Sequence, residues 1–255
     1  MVKPLHRGER MIVLRRATER RHVRSGKQET WLTVFPLDGR PGPAVVACEG
    51  IASFSEIRLP PGGGSGSHRR EEAEAVTYVY MGALAQEDST GRSGVLQAGE
   101  FQRMTTGRRI RHKETNVSRT DWVHVFRIVL HPSEVGRDSA HEQKRYTAAQ
   151  RHNLLCPVAS RDGRKGSLRI HQDAVIYSSI LDPGHHLSHE LLPGRSAWLH
   201  VVRGEARLDD IVLAGGDGAG VTTEPSVSLT AQENAEILLV DLGPAPILFG
   251  SGTVR

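Results

Sequence analysis

Short apolar runs that end at glycine-containing turns repeat along almost the whole of this 255-residue chain, and helical periodicity is scarce. Typical runs are Ala52 to Leu59, Ala75 to Tyr80 and Trp122 to Leu130, and the last sets apolar side chains among polar ones. Runs of this length and pattern indicate β-strands. Many short strands with Gly-rich turns favour a sandwich or barrel, and a two-sheet jelly roll protects the strand edges. The sequence therefore predicts an all-β fold.

The second half of the chain repeats the pattern of the first. Trp198 to Val202, a Gly-containing turn and Glu205 to Leu208 mirror Val76 to Tyr80, a similar turn and Ala83 to Gln86. A duplicated barrel fits both the length and this repeat. The polar stretch from Ser133 to Asn153 is the best crossing between the halves. We therefore expect two tandem jelly-roll domains, an N-terminal one over residues 1–135 and a C-terminal one over residues 136–255.

Composition excludes several classes of protein. Charged residues make up 24% and hydrophobic ones 38%, and no apolar run approaches the length that spans a bilayer, so no membrane contact is expected. The net charge is +4, but the basic residues are scattered among 29 acidic ones, which argues against direct nucleic-acid binding. The two cysteines, Cys48 and Cys156, support neither a disulfide framework nor a thiolate cluster. A reducing cytoplasm is the natural expectation.

Two short segments carry residues with metal-binding chemistry. His68, Arg70 and Glu74 follow a Gly-rich stretch that we expect to form a loop at the barrel mouth, and His112 and Glu114 lie further along the chain. Alternate side chains of a strand share one face, so two facing strands could converge these groups on one ion. Imidazole and carboxylate suit iron, zinc, manganese or nickel. Arg70 cannot join them, because its guanidinium stays protonated and has no lone pair to give.

Longer motifs in both halves resemble those of one known family. They are Val76-Thr77-Tyr78-Val79, Ala98-Gly99-Glu100-Phe101-Gln102, Ile110-Arg111-His112-x-Glu114-x-Asn116, Gly166-Ser167-Leu168-x-Ile170-His171-Gln172-Asp173 and Val201-Val202-x-Gly204. With these motifs the chain resembles the pirin-family bicupins, and in particular the bacterial pirin-like proteins associated with quercetin dioxygenase activity. The resemblance covers nearly the whole chain.

This resemblance implies a metal in the N-terminal barrel, held by three histidines and a glutamate. His68 falls on the first histidine, His112 on the third and Glu114 on the glutamate, whereas Arg70 stands in the place of the second histidine. The implied cofactor is one divalent transition metal, Fe(II) foremost, with Zn, Ni, Mn or Cu as alternatives. The implied substrate is a small aromatic molecule, a quercetin-like flavonol attacked by oxygen, with Glu74 as ligand or general base and Glu114 as ligand.

Arg70 leaves three interpretations of this site open. In the first, His68, Glu74 and His112 form a two-His-one-carboxylate face, with Glu114 as a fourth ligand or behind it. In the second, Arg70 occupies the ion's place and binds Glu74 or Glu114, so the cavity is filled without metal. In the third, the alignment shifts and His68 takes the second histidine's place. A metal-free site would favour a binding or regulatory protein that acts through an unknown protein partner.

The remaining histidines are expected to be structural. His185, His186 and His189 form a cluster near the start of the second barrel, but the segment Gly218 to Val221, which we take as the partner strand, offers no ligand. A solvated or core-edge cluster is therefore favoured over a second metal site, and the C-terminal barrel is expected to be structural. His171 is also expected to have a structural role.

Overall fold

The fold consists of two jelly-roll barrels built almost entirely of β-strands, as the sequence predicts. The computed structural model describes residues 11–37, 40–41, 48–69, 73–105, 110–131 and 139–244. Each barrel pairs a seven-stranded sheet with a four-stranded sheet. The neighbouring strands of these sheets run antiparallel, except for one short parallel pair in the second barrel.

The first barrel contains most of the strands up to residue 145. Its large sheet has the spatial order β14-β11-β8-β13-β6-β3-β2 and its small sheet the order β10-β9-β12-β7. In chain order these strands are β2 (Arg21–Ser25), β3 (Gln28–Val34), β6 (Ile51–Leu59), β7 (Gly64–Arg69), β8 (Glu74–Met81), β9 (Ala83–Asp88), β10 (Ser93–Gln97), β11 (Glu100–Thr105), β12 (Arg111–Asn116), β13 (Val123–Leu130) and β14 (Ala140–Arg145). A separate two-stranded sheet joins β4 (Pro36–Leu37) to β5 (Arg40–Pro41).

The second barrel repeats this plan with one strand taken from the N-terminus. Its large sheet has the order β1-β22-β19-β24-β17-β15-β16 and its small sheet the order β18-β23-β20-β21. The strands are β1 (Met11–Arg15), β15 (Cys156–Ser160), β16 (Leu168–Arg169), β17 (Ala174–Leu181), β18 (His186–Glu190), β19 (Ser196–Arg203), β20 (Glu205–Leu208), β21 (Ile211–Ala214), β22 (Gly218–Thr222), β23 (Ser226–Ala231) and β24 (Ala235–Leu242). The short helix α1 (Ala148–Arg151) and two 3-10 turns, Ala17–Glu19 and Arg164–Gly166, complete the described elements.

The two barrels share one strand order, and the second receives its edge strand from the N-terminal part of the chain. Strand β1 pairs with β22 of the second barrel, and β14 pairs with β11 of the first at the matching edge position. The polar stretch Ser133 to Asn153, expected to be a crossing, thus contains a paired strand as well as α1. The domain boundary at residues 135 and 136 remains a prediction.

Equivalent glycines mark the corner where each barrel's chain passes from the large sheet to the small one. Gly82 lies between β8 and β9, and Gly204 lies between β19 and β20. Both have a positive φ, +82° and +74°, which residues with a Cβ rarely adopt. A Cβ at Gly204 would lie 2.2 Å from the Asn234 carbonyl oxygen. The shared corner fixes which residues of the two barrels are equivalent.

Three apolar clusters hold the barrels together. One fills the first barrel, with Val79 and Leu84 among its members, and another fills the second, with Leu199 and Leu229. The largest cluster lies between the two large sheets and joins residues such as Tyr78 of the first half to residues such as Trp198 of the second. The central strands of the large sheets are therefore buried on both faces.

Charged residues are also buried between the barrels. Arg151 Nη1 donates to Glu236 Oε1 over 2.7 Å and to the Ser178 hydroxyl over 3.0 Å. The Tyr78 hydroxyl donates to the same Glu236 oxygen over 2.5 Å. Burial is the main cause that raises the pKa of Tyr78, with the Glu236 charge adding to it, so this phenol stays protonated. The network joins β8 of the first barrel to α1, β17 and β24.

Complete burial makes His200 a source of pH-dependent stability. Its ring packs against Phe54 and Phe126, with centroid distances of 4.5 and 5.6 Å, and neither ring nitrogen has a hydrogen-bond partner among the described residues. This burial lowers the pKa of His200 to about 3. The unfolded chain takes up a proton at this residue near its ordinary pKa of about 6.5, whereas the folded chain does not. The contribution to stability is therefore present above about pH 6.5 and is lost progressively as the pH falls toward 3.

The variant His200→Phe is expected to remove this part of the acid sensitivity. For one histidine the loss between about pH 7.5 and pH 5 amounts to about 2 kcal/mol of unfolding free energy. Urea unfolding at both pH values measures it in the wild type and the variant. Exposed His186, changed to Phe, is the control and should keep the wild-type pH dependence. An equal loss in wild type and His200→Phe would show that His200 is protonated in the folded state.

The segment before β6 is only partly described: residues 44–47 lie outside the described residues, and Cys48 lies in a turn. The Gly-rich approach to His68 is a turn only as far as Gly63, because β7 begins at Gly64. Within the described residues, no helix is long and apolar enough to cross a membrane.

Candidate metal pocket of the first barrel

Two of the expected ligands lie on one face of β12. His112, Glu114 and Asn116 are buried at 4%, 5% and 2% exposure, whereas Arg111 and Lys113 between them are exposed. This alternation is the period of two that a strand with one buried face requires. His112 and Glu114 thus share the interior face of the first barrel.

The third expected ligand lies on the neighbouring strand. In the pairing of β7 with β12, His68 stands opposite His112, and Ser65 stands opposite Glu114. The register shifts between these two pairs, so β7 carries one extra residue there, as in a β-bulge. The backbone therefore brings positions 68, 112 and 114 together at adjacent places in the small sheet. The side chain of His68 and the whole of Arg70 lie outside the described residues.

An arginine that the sequence analysis passed over contacts the predicted carboxylate ligand. Arg127 Nη2 donates to Glu114 Oε1 over 2.5 Å, and its Nε donates to the Thr77 hydroxyl over 3.2 Å. The amide nitrogen of Gln86 donates to the same Glu114 oxygen over 3.3 Å. The two charged side chains are only 8% and 7% exposed, so solvent screens their attraction little. The second interpretation placed Arg70 beside Glu74 or Glu114 and stays a prediction, because Arg70 lies outside the described residues; the arginine found beside Glu114 is Arg127.

A cavity of about 220 Å³ opens beside His112. Its walls come from β9, β11, β12 and β14 and include Gln102, Met104 and His141. Asp88 also lines it, on the side of β9. Partial burial by itself would raise the pKa of Asp88, but hydrogen bonds from the Thr90 hydroxyl and backbone N–H outweigh it, so the pKa lies below its ordinary value. His141 was not foreseen here, because the segment that carries it was expected to be a crossing.

Glu74 lies away from this cavity. Along β8, Glu74, Val76 and Tyr78 face the core between the barrels, whereas Thr77 and Val79 face the first barrel's interior. The Glu74 carboxylate accepts hydrogen bonds from the His171 backbone N–H over 2.7 Å and from its ring Nδ1 over 2.8 Å. The structure thus separates Glu74 from His112 and Glu114 and makes it a link between the two halves. His171, which was expected to be structural, is the residue that contacts Glu74.

The second barrel has leucines where the first has polar groups. Counting from the corner glycines through the strand pairings, Thr77, Gln86, Glu114 and Arg127 correspond to Leu199, Leu208, Leu229 and Leu239. The strand equivalent to β12 is β23, so Gly218 to Val221 was the wrong strand to compare. At the place of His112, β23 carries Val227. Neither valine nor leucine can coordinate a metal.

The residues of the first barrel fit a divalent transition metal by the chemistry of their donors. Histidines at positions 68 and 112 with the carboxylate of Glu114 make up the two-His-one-carboxylate set that suits Fe(II) and related ions. A ligating carboxylate is normally hydrogen-bonded from behind, as Glu114 is by Gln86. The charge of Arg127 lies next to it and opposes a cation. The described side chains do not include that of His68. Among them, no three His, Cys, Asp or Glu side chains lie close enough together to hold a metal ion.

The strand order and the paired four-stranded sheets define a bicupin, and the comparisons with known proteins agree. The pirin family model matches residues 19–130, and the model of the quercetinase C-terminal cupin domain matches residues 157–242. The chain is 34% identical over 234 residues to the quercetin 2,3-dioxygenase of Escherichia coli K12. The aligned region covers 92% of this chain and 100% of that protein. The chain therefore belongs to the pirin family.

Solved structures show the same relationship. The crystal structure of YhhW from Escherichia coli superposes with a TM-score of 0.85 at 33% identity, covering 92% of this chain and 99% of that one. The same bacterial pirin in complex with nickel(II) gives a TM-score of 0.84 at 31% identity, covering 92% of this chain and 100% of that one.

Proposed function

We propose that the first barrel binds one divalent transition metal weakly and uses it with molecular oxygen on a quercetin-like flavonol. The observation that carries this proposal is the placement of His112 and Glu114 on one buried face, with position 68 opposite His112. The relative named quercetin 2,3-dioxygenase supports the reaction class, and the nickel-bound pirin supports the cofactor. Fe(II) and Ni(II) are the first ions to test.

Each residue has a distinct task in this proposal. His68, His112 and Glu114 would hold the metal, which would supply a Lewis acid that binds the deprotonated enol oxygen of the substrate. Arg127 and Gln86 fix the orientation of the Glu114 carboxylate through their hydrogen bonds. Glu74 is left out of the chemistry, because its carboxylate binds His171 on the other face of β8.

The cavity limits how much of the substrate is enclosed. Its volume of about 220 Å³ lies below the range of about 300–1,000 Å³ typical of pockets that enclose a drug-sized ligand. We infer that one ring of the flavonol enters beside Gln102, Met104 and His141, while the rest stays at the mouth. Gln102 is buried and has no hydrogen-bond partner for its Oε1 among the described residues, so it can accept from a substrate hydroxyl.

A metal assay and a flavonol assay test the proposal together. The purified protein is expected to hold less than one equivalent of transition metal, because position 70 carries arginine and Arg127 weakens the site further. With added Fe(II) or Ni(II) it should consume quercetin slowly, measured as loss of the flavonol absorbance, and His112→Ala should abolish both metal binding and turnover. Turnover that survives His112→Ala, or that persists in chelator, would contradict the proposal.

The buried Glu114–Arg127 pair favours a second candidate function, a metal-free binding or regulatory protein. In that case Arg127 neutralises Glu114 in place of an ion, and the cavity serves recognition only. This candidate predicts no metal uptake even at millimolar Ni(II) and no loss of quercetin absorbance. Elemental analysis after metal loading distinguishes the two.

A further inference from the structure

The mouth of the second barrel contains a cavity whose polar lining residues differ from those of the first barrel's cavity. Its volume is about 540 Å³, within the range typical of small-molecule sites. Tyr177, His189 and Asp241 line this cavity, as do Arg161 and Arg169. Tyr177 belongs to the edge of the leucine-rich core of the second barrel. The cavity is thus the second barrel's own opening.

His189 occupies the position in this barrel that His68 has in the first. His189 pairs across β18 and β23 with Val227, and His68 pairs across β7 and β12 with His112, which is the residue equivalent to Val227. The positions equivalent to the other metal ligands of the first barrel are Val227 and Leu229, which are apolar. His189 is therefore the one imidazole at this place, and these β23 residues add no metal ligand. Of the two alternatives expected for this cluster, solvated or core-edge, the position of His189 fits the second, because its side chain is only 15% exposed and lines a cavity apart from His186.

A carboxylate fixes the His189 ring. His189 Nε2 lies 2.8 Å from Asp241 Oδ2, and Arg195 Nε donates to Asp241 Oδ1 over 2.6 Å. Burial alone would raise the pKa of Asp241, but the hydrogen bonds from His189 and Arg195 outweigh it and hold the pKa below its ordinary value. A neutral imidazole that donates through Nε2 presents Nδ1 as an acceptor. No described residue forms a hydrogen bond with that Nδ1.

Next to the imidazole lies an aromatic wall with a hydroxyl donor. The Tyr177 ring lies 5.0 Å from that of His189, tilted by 58°. Burial is the main cause that raises the pKa of Tyr177, and the Asp241 charge adds to it, so the hydroxyl keeps its proton. Val175 and Leu192 add apolar surface to the same cavity. A flat ring would therefore find stacking and apolar contacts here.

Arg161 and Arg169 provide positive charge on the cavity wall. Both are exposed, and neither forms an ion pair within the part of the chain that the structure describes. The other two arginines of the cavity are already neutralised, Arg164 by Asp162 and Arg195 by Asp173 and Asp241. Arg161 and Arg169 are thus the two arginines of the wall without an ion-pair partner among the described residues, although its four carboxylates, Asp162, Asp173, Glu190 and Asp241, equal its four arginines in number.

We propose that this cavity is a second, metal-independent site that binds a small aromatic acid carrying a hydroxyl group. The hydroxyl donates to His189 Nδ1, the ring packs against Tyr177, and the carboxylate pairs with Arg161 and Arg169. The site does not depend on the first barrel's metal or on its reaction. It uses the second barrel, which was expected to be structural, for recognition.

Titration calorimetry with 4-hydroxybenzoate in the presence of EDTA tests the proposal. We expect one binding site per chain, and about tenfold weaker binding in His189→Gln, which loses the acceptor at Nδ1. Benzoate, which lacks the hydroxyl, should bind the wild type about as weakly as 4-hydroxybenzoate binds His189→Gln, and should lose no further affinity in that variant. His186→Gln, on the same strand but on its exposed face, is the matched control and should bind like the wild type.

A second variant keeps the test independent of folding at His189. The double change Arg161→Gln and Arg169→Gln alters only exposed side chains, and it should also weaken binding about tenfold. Absence of binding to the wild type, or unchanged affinity in the folded variants, would overturn the proposal. Because EDTA removes any metal, failure here leaves the metal and quercetin assays of the first barrel unaffected.

Discussion

The variant Arg151→Met is expected to lower the free energy of unfolding by about 3–5 kcal/mol. Arg151 and Glu236 are only 6% and 5% exposed, and their 2.7 Å ion pair lies between the two barrels. Methionine fills a similar volume without the charge, so the Glu236 carboxylate is left buried with the Tyr78 hydroxyl and no cation. Uncompensated burial of a charge costs more than the pair contributes when intact.

Two further variants separate this cause from simple loss of packing. Adding Glu236→Gln to Arg151→Met removes the orphaned charge, and we expect it to recover most of the lost stability. Arg24→Met is the matched control, because Arg24 pairs with Glu29 over 2.8 Å at 70% exposure, and its loss should cost less than about 1 kcal/mol. Urea unfolding at neutral pH measures all three. If the double variant were as unstable as Arg151→Met, lost packing would be the cause.

The burial of β8 explains why the sequence could not show which way Glu74 faces. Strand β8 is buried on both faces, one against the barrel interior and the other against the second half. A strand with only one buried face shows its inside by alternation, as β12 does with His112 and Glu114. In β8 both Glu74 and Ala75 are buried, so the pattern cannot tell which of them faces the pocket.

The duplication of the barrel could be predicted from the sequence, because turn and strand patterns recur at matching places in both halves. The pairing partners of β1 and β14 could not be predicted, since pairing between separate segments leaves no local signal. Arg127 was passed over as one polar residue of an alternating strand. Its signal was its place inside the apolar run Trp122 to Leu130, where an arginine needs a buried partner.

The variant Arg127→Gln is expected to bind Ni(II) about tenfold more tightly than the wild type, because the repulsion between a buried positive charge and the ion outweighs the loss of one hydrogen bond that orients Glu114. In the wild type, Arg127 Nη2 lies 2.5 Å from Glu114 Oε1. The substitution removes this positive charge and therefore the repulsion between the charge and a bound cation. The buried Glu114 carboxylate then lacks its partner, which destabilises the metal-free form by about 3–5 kcal/mol. An ion that neutralises Glu114 should restore that loss, because anything that binds only the folded state stabilises it.

Thermal unfolding with and without Ni(II), alongside calorimetric titration, measures both effects. Arg127→Gln should show a lower melting temperature than the wild type without metal and a larger upward shift when Ni(II) is added. Combining it with His112→Ala should remove the shift, whereas Arg58→Gln, which removes an arginine that pairs with Glu56 over 3.0 Å instead, should leave Ni(II) affinity unchanged. If Arg127→Gln destabilised the protein without any gain in Ni(II) affinity, Glu114 would be a structural partner of Arg127 alone, and the metal-free binding function would be favoured.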